Sequence, residues 1–174
     1  DSFSPNLQEK KTKFKLNPRI NENPYLDNQL KQLEMQFSAT KKRLENKFGA
    51  KKFIVYFQSF TNTYAPFPTL KALYEKALSF ENVIGLSIGT RTDCVTDEIL
   101  DYLVGLSTDK EIWVEYGIQS FYDETLVRIN RGDNSANMKY WIRRTKEKGL
   151  NVCGHLIYGL PGENQEMMLE TFNQ

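Results

Sequence analysis

Two hydrophobic periods alternate along this chain. Leu26, Leu30, Leu33, Phe37, Leu44 and Phe48 recur at the three-to-four-residue spacing of a single helix face. Asn23 as N-cap, Pro24 at the first helical position and Gly49 past the end bracket that predicted helix. From Phe53 the period shortens to two, and strands and helices then take turns. Phe53 to Gln58 reads as a strand and Pro68 to Ser79 as a helix. Ile84 to Gly89 is the second predicted strand, followed by a helix over Thr96 to Leu106 with Thr96 as its cap and Asp97 and Glu98 at its positive end. Ile112 to Ile118 is the third strand, and Tyr122–Ile129 and Ser135–Lys148 are helical, the second stopped by Gly149. Asn151 to Tyr158 is the fourth strand, and Asn164 to Gln174 begins another helix.

Strands alternating with helices of this length specify βα units and a parallel sheet, so the fold class is α/β. A closed barrel of such units needs around 250 residues. Four units in 174 residues predict part of a larger, open barrel. Residues 1–25 stand apart: they are polar, carry Pro5, Pro18 and Pro24 with the run Lys10-Lys11-Thr12-Lys13, and read as a loop or partly disordered segment. Residues 26–174 form the barrel portion.

Strand side chains alternate between faces, which sorts the residues by function. Phe53, Val55 and Phe57, then Ile84, Leu86 and Ile88, then Ile112, Val114, Tyr116 and Ile118, then Val152 and Leu156 form a face for helix packing. The opposite face collects Tyr56, Gln58, Ser87, Glu115, Gln119, Cys153 and His155, with Gly85, Gly89, Gly117 and Gly154 leaving room beside them. Placing an acid and several amides on a sheet face is expensive unless they bind something. That face is the predicted cleft. The bland alternatives are a Glu115 paired with Arg91 or Arg131, a satisfied core His155, and a Cys153 acting only as a small core residue.

Composition narrows the chemistry. Forty per cent apolar and 13% aromatic residues suffice for a core. Twenty-three Lys and Arg against 22 Asp and Glu give +1, so nucleic acid is not indicated by charge. No apolar run approaches the roughly 20 residues of a membrane helix, and Asp1-Ser2-Phe3-Ser4 is no signal peptide. Two distant cysteines, Cys94 and Cys153, make neither a disulfide framework nor a structural zinc site, and one histidine excludes His-rich metal chemistry. The expected compartment is the cytoplasm. GxGxxG, Walker A and GxSxG motifs are absent, and Arg131-Gly132-Asp133 is a chance match to a cell-adhesion tripeptide.

Three segments in order carry a family resemblance: Gly117-Ile118-Gln119-Ser120-Phe121, Asn130-Arg131-Gly132, and Leu156-Ile157-Tyr158-Gly159-Leu160-Pro161-Gly162. They resemble the radical S-adenosylmethionine (radical SAM) superfamily, near oxygen-independent coproporphyrinogen III oxidase and, through Gly89-Thr90-Arg91-Thr92-Asp93, the Elongator catalytic subunit. Tyr56-Phe57-Gln58-Ser59-Phe60-Thr61-Asn62-Thr63-Tyr64 with Leu86-Ser87-Ile88-Gly89-Thr90-Arg91 resembles a bacterial group of that superfamily. The resemblance implies an open (β/α)6-type partial barrel, S-adenosylmethionine, and a 4Fe–4S cluster on a CxxxCxxC loop. It implies an oxidoreductase that generates a 5′-deoxyadenosyl radical for hydrogen abstraction, fed by flavodoxin or ferredoxin.

Carried over by position, the cofactor-binding residues are Gln58, Ser59, Gly89, Thr90, Arg91, Glu115, Gln119, Arg131, His155, Tyr158 and Gly159. Two positions depart from the better-known branches. Gly89 stands where those branches have a glutamate, a role that Glu115 can take. His155 stands where the coproporphyrinogen branch has a ribose-binding aspartate. No CxxxCxxC occurs. In similar proteins the last cluster cysteine lies just ahead of a segment like Asp1 to Pro5. A truncated, inactive chain with exposed sheet edges that promote self-association is therefore expected. The competing reading is a non-catalytic binding or scaffold module derived from such a barrel.

Overall fold

The computed structural model describes residues 23–174. Expectations for residues 1–22 lie outside the described residues. Helix α1 spans Leu26–Phe48, β1 Phe53–Phe57, α2 Phe67–Leu78, β2 Val83–Thr90, and a short 3-10 turn Thr92–Cys94. Helix α3 covers Asp97–Leu106, β3 Glu111–Gln119, α4 Asp123–Arg128, α5 Ser135–Glu147, β4 Asn151–Leu156 and α6 Gln165–Asn173. The four strands form one parallel sheet in the order β1-β2-β3-β4. Each strand thus pairs with its immediate predecessor, the arrangement that right-handed crossovers produce when their helices share one face.

The helix-packing face is the one the two-residue period singles out. Phe57, Leu86, Ile88, Ile112, Val114, Tyr116 and Ile118 join Leu70, Leu73, Tyr74, Leu100, Leu103 and Met138 in one buried cluster. Burying one such side chain is worth about 1.5–3 kcal/mol. The ion pair of Lys148 with Asp101 lies at the surface, where water screens it, so the seam between sheet and helices dominates stability. Helix α1 closes this layer at the β1 end, where Phe37 stacks on Phe80 at 4.5 Å and meets Phe53 edge-on at 6.0 Å.

Four expectations need correction. Helix α1 starts at Leu26, so Asn23 and Pro24 belong to a preceding turn. There the Tyr25 N–H donates to Asn23 Oδ1, and Asn23 Nδ2 donates to the buried Gln29 at 2.8 Å. Phe48, at the far end of α1, is 66% exposed because it lies beyond the sheet. Ile84 does not share the inner face with Leu86 and Ile88. Phe53 pairs with Val83 but Ile54 pairs with Gly85, so Ile84 is a bulge residue, 39% exposed, and Val83 fills the core position. Strand β4 also ends at Leu156, two residues before the expected Tyr158. The caps at Gly49 and Thr96 are as expected: Gly49 is left-handed (φ 64°), and Thr96 Oγ1 accepts from the Ile99 N–H. Among the described residues no helix is long and apolar enough to cross a membrane.

The bulge sits beside a close backbone approach. A Cβ on Gly85 would lie 2.0 Å from the Glu111 carbonyl oxygen and 2.7 Å from its Cβ, so β2 and β3 reach their spacing only because residue 85 has no side chain. Gly85→Ala should therefore destabilise the chain by about 3 kcal/mol or more in chemical denaturation, as overpacking against an unyielding backbone does. Gly105→Ala, at a helical position with open space around it, should be neutral or slightly stabilising in the same assay.

Candidate functional site

The polar face of the sheet is organised around Glu115. Parallel register sets Gly89 beside Glu115 and Glu115 beside Cys153, with Gly117 opposite His155. Tyr56 donates its hydroxyl to Glu115 Oε2 at 2.8 Å, Ser87 donates to Oε1, and His155 Nε2 lies 2.7 Å from Oε2. An ionised carboxylate only accepts, so His155 Nε2 carries the proton of that bond. The Glu115 side chain is 16% exposed and that of His155 is 50% exposed, so the acid is sunk into the face and the imidazole forms its rim. The expected alternatives of Arg91 or Arg131 as the partner of Glu115 are not what the fold provides.

Burial on its own raises the Glu115 pKa, but the hydrogen bonds from Ser87, Tyr56 and His155 outweigh it and hold the carboxylate below its ordinary value. Burial, reinforced by the bond to Glu115, pushes the Tyr56 phenol up to about 12. Burial and then the Glu115 charge raise the neighbouring Cys153 thiol.

A second group gathers at the end of β3. The β3–β4 register slips between Gly117 and Gln119, and Gln119 takes a left-handed backbone (φ 72°), uncommon for a residue with a side chain. This turns its amide back over Gly117. A Cβ on Gly117 would meet Gln119 Nε2 at 3.0 Å and Arg131 Nη2 at 3.5 Å, so the missing side chain is what lets the two groups converge. Arg131 donates Nη2 to the Gly117 carbonyl, while its buried Nε has no partner. Burial and then the adjacent Arg91 charge pull the Arg131 pKa down against the opposing pull of Asp93 and Asp133.

The remaining predicted residues support this group or lie apart from it. Arg91 grips Asp93 with Nε and Nη2 and also donates to the Arg131 carbonyl at 2.8 Å, fixing the turn that carries Arg131. That same turn is held from the other side by Asp133, which accepts from Thr92 and from Asn137. Thr90 is buried and bonded to Thr63, so its hydroxyl is not available to a ligand. The Gly89 carbonyl accepts from Asn62 Nδ2 at 2.8 Å and also from its N–H. Gln58 is exposed and Ser59 half-buried, just past the end of β1. Tyr158 and Gly159 are exposed beyond β4, where the Gly159 N–H faces Met168 Sδ at 3.1 Å.

Sequence reading places Asn62 and Ser120 in motif segments but gives neither a role: Asn62 ties the loop after β1 to Phe57 and Gly89, and the buried Ser120 donates its hydroxyl to Glu163 at 2.5 Å. The signal for Asn62 was present: a polar residue inside Thr61-Asn62-Thr63, between a strand and the Pro66 that opens α2. Counting histidines and cysteines separately does not reveal that Glu115, Cys153 and His155 form one cluster whose potential ligand atoms all lie within 4.8 Å of one another.

Because the folded-state pKa of Glu115 is depressed, its network stabilises the fold above the ordinary carboxylate pKa of 4.5, and that contribution is lost as pH falls through the lower folded value. Glu115→Gln should flatten the acid limb of a stability-versus-pH curve. Tyr56→Phe, which removes one donor, should shift that limb to higher pH. An unchanged acid limb in both variants would show that the network does not hold the charge.

Comparison with known proteins adds to this geometry. Residues 28–174 match the family model described as Radical SAM superfamily. The YtqA protein of Bacillus subtilis is 38% identical over 147 residues, covering 84% of this chain and 46% of that protein. The YhcC protein of Escherichia coli K12 is 43% identical over 126 residues, covering 72% of this chain and 41% of its own length. The structure of archaeal Methanocaldococcus infernus Elp3 with an N-terminal deletion superposes with a TM-score of 0.65 at 22% identity, over 81% of this chain and 37% of that one. The chain spans less than half the length of the curated relatives it matches.

Proposed function

The chain belongs to the radical SAM superfamily, and on that premise we propose that it forms the S-adenosylmethionine-binding face of an enzyme that makes a 5′-deoxyadenosyl radical. The observation that carries this reading is the convergence of Gln119 and Arg131 over Gly117, with a buried Arg131 Nε left unpartnered. A guanidinium with a spare donor suits a carboxylate, and S-adenosylmethionine brings one on its methionyl end. Gln119 offers both a donor and an acceptor to ribose hydroxyls. His155 and the exposed turn at Tyr158 and Gly159 border the same end of the sheet and would flank the nucleoside. Gln58 and Ser59 would meet the methionyl amino group from the end of β1. Arg91 acts through Arg131 as a positioning residue, and Gly89 and Thr90 shape the strand end without offering a free side chain.

The residues here do not fit a 4Fe–4S cluster. Cys94 sits in the 3-10 turn, its thiol pushed up to about 11 by burial and then by Asp93, and Cys153 sits on the sheet face against Glu115. Neither is paired with another cysteine, and CxxxCxxC does not occur in this sequence. Cluster cysteines would have to come from outside it, and this chain by itself should yield no 5′-deoxyadenosine. Bound to such a cluster, S-adenosylmethionine would supply the radical. The part of this chain is to hold the cofactor in one orientation. We further propose a flavodoxin or ferredoxin as the electron source and a cytoplasmic setting.

Calorimetric titration of this chain with S-adenosylmethionine tests the reading directly. Arg131→Ala and Gln119→Ala should each weaken binding by about tenfold or more, as loss of a charged or paired hydrogen bond does. Gly105→Ala, near the C-terminal end of α3 with open space around it, should leave affinity unchanged in the folded protein. Equal affinity in the wild type and both site variants would overturn the assignment.

A further inference from the structure

We propose that Glu115, Cys153 and His155 form a binding site for one divalent transition-metal cation, of which zinc is the natural occupant by ligand type. The inference goes beyond the cofactor reading and does not rest on it.

The backbone places the three residues together. Glu115 and Cys153 are register partners on adjacent parallel strands, and His155 lies two residues on from Cys153, so all three point to the same face. Their potential ligand atoms lie within 4.8 Å of one another, near enough for small side-chain rotations to bring all three onto one cation. One sulfur, one imidazole nitrogen and one carboxylate oxygen is a donor set that zinc and its first-row neighbours accept. Calcium and magnesium, which prefer oxygen alone, are disfavoured.

Charge and environment agree with that choice. Binding replaces the Cys153 S–H bond with a sulfur–metal bond, and that proton goes to solvent. His155 ligates through one ring nitrogen while the other keeps the single proton of the neutral imidazole, so the Nε2–H bond to Glu115 gives way if Nε2 is the ligand. Two positive charges then meet one thiolate and one carboxylate, with a neutral imidazole, so the loaded site carries no net charge. That is a favourable state for a partly desolvated strand face. Tyr56 and Ser87 already donate to the Glu115 carboxylate and would orient it from behind, the role that outer partners take in metal centres. His155 stands at the exposed rim, leaving the solvent side of the cluster open for a fourth ligand, such as water or a polar substrate group.

Cobalt(II) is the probe, added to untagged chain under anaerobic conditions, because a cobalt–thiolate bond gives a charge-transfer band in the near ultraviolet that oxygen or nitrogen ligands do not. Wild type and Cys94→Ala should each titrate to one equivalent with that band, and zinc should displace it. Cys153→Ser, which keeps the size of the side chain, should lose the band. His155→Ala and Glu115→Gln should keep it but weaken affinity by at least about tenfold. Circular dichroism of every variant checks that it is folded. If there is no band in the wild type, if it persists in Cys153→Ser, or if it is lost in Cys94→Ala, the site is not there.

Discussion

A carboxylate on the face of a β-sheet has lost part of its water and must be resolvated by the protein. Glu115 meets that demand with three donors, each from a different strand: Tyr56 from β1, Ser87 from β2 and His155 from β4. One acid in β3 therefore ties together the polar side of all four strands. It does so on the face opposite the aliphatic seam, so the sheet is held from both sides by different physics. The helix side relies on buried apolar area, and the open side on one hydrogen-bonded anion.

The same economy governs the far end of β3. Glutamine in a left-handed conformation costs on the order of 1 kcal/mol or more relative to relaxed backbone. What the fold gains is an amide turned over Gly117 and facing Arg131. Arg91 connects this group to its surroundings by holding Asp93 and the Arg131 carbonyl at once. The two polar groups are neighbours without merging. Gly117 pairs with His155 in the register and lies beneath Gln119 and Arg131, so a ligand spanning the strand end would touch both.

Much of this was legible in the sequence because strand parity is rigid. Tyr56, Ser87, Glu115, Cys153 and His155 were assigned to one face by counting in twos, and they meet there. Counting failed where the period itself broke. Ile84 was placed in the core because nothing in Val83-Ile84-Gly85 reveals which residue is extra, and the close approach of Gly85 to Glu111 is a three-dimensional fact. The fate of Thr90 and Arg91 was illegible for a similar reason. Thr63, which bonds Thr90, and the Arg131 carbonyl, which accepts from Arg91, arrive from loops whose paths no local pattern encodes. The bland alternative for Glu115, pairing with Arg91 or Arg131, follows the rule that acids seek arginines, whereas register puts an imidazole and two hydroxyls within reach first.

Sequential strand order also bears on how the chain is made. Each strand pairs with the one synthesised just before it, so a growing chain can add βα units in the order they leave the ribosome without waiting for a distant segment. Glu115 is the exception. Two of its donors precede it in the chain, but the third arrives with His155, forty residues later. Until then the nascent sheet carries an acid missing one of its bonds at its leading edge, and the arrival of β4 at once completes the register and satisfies the charge.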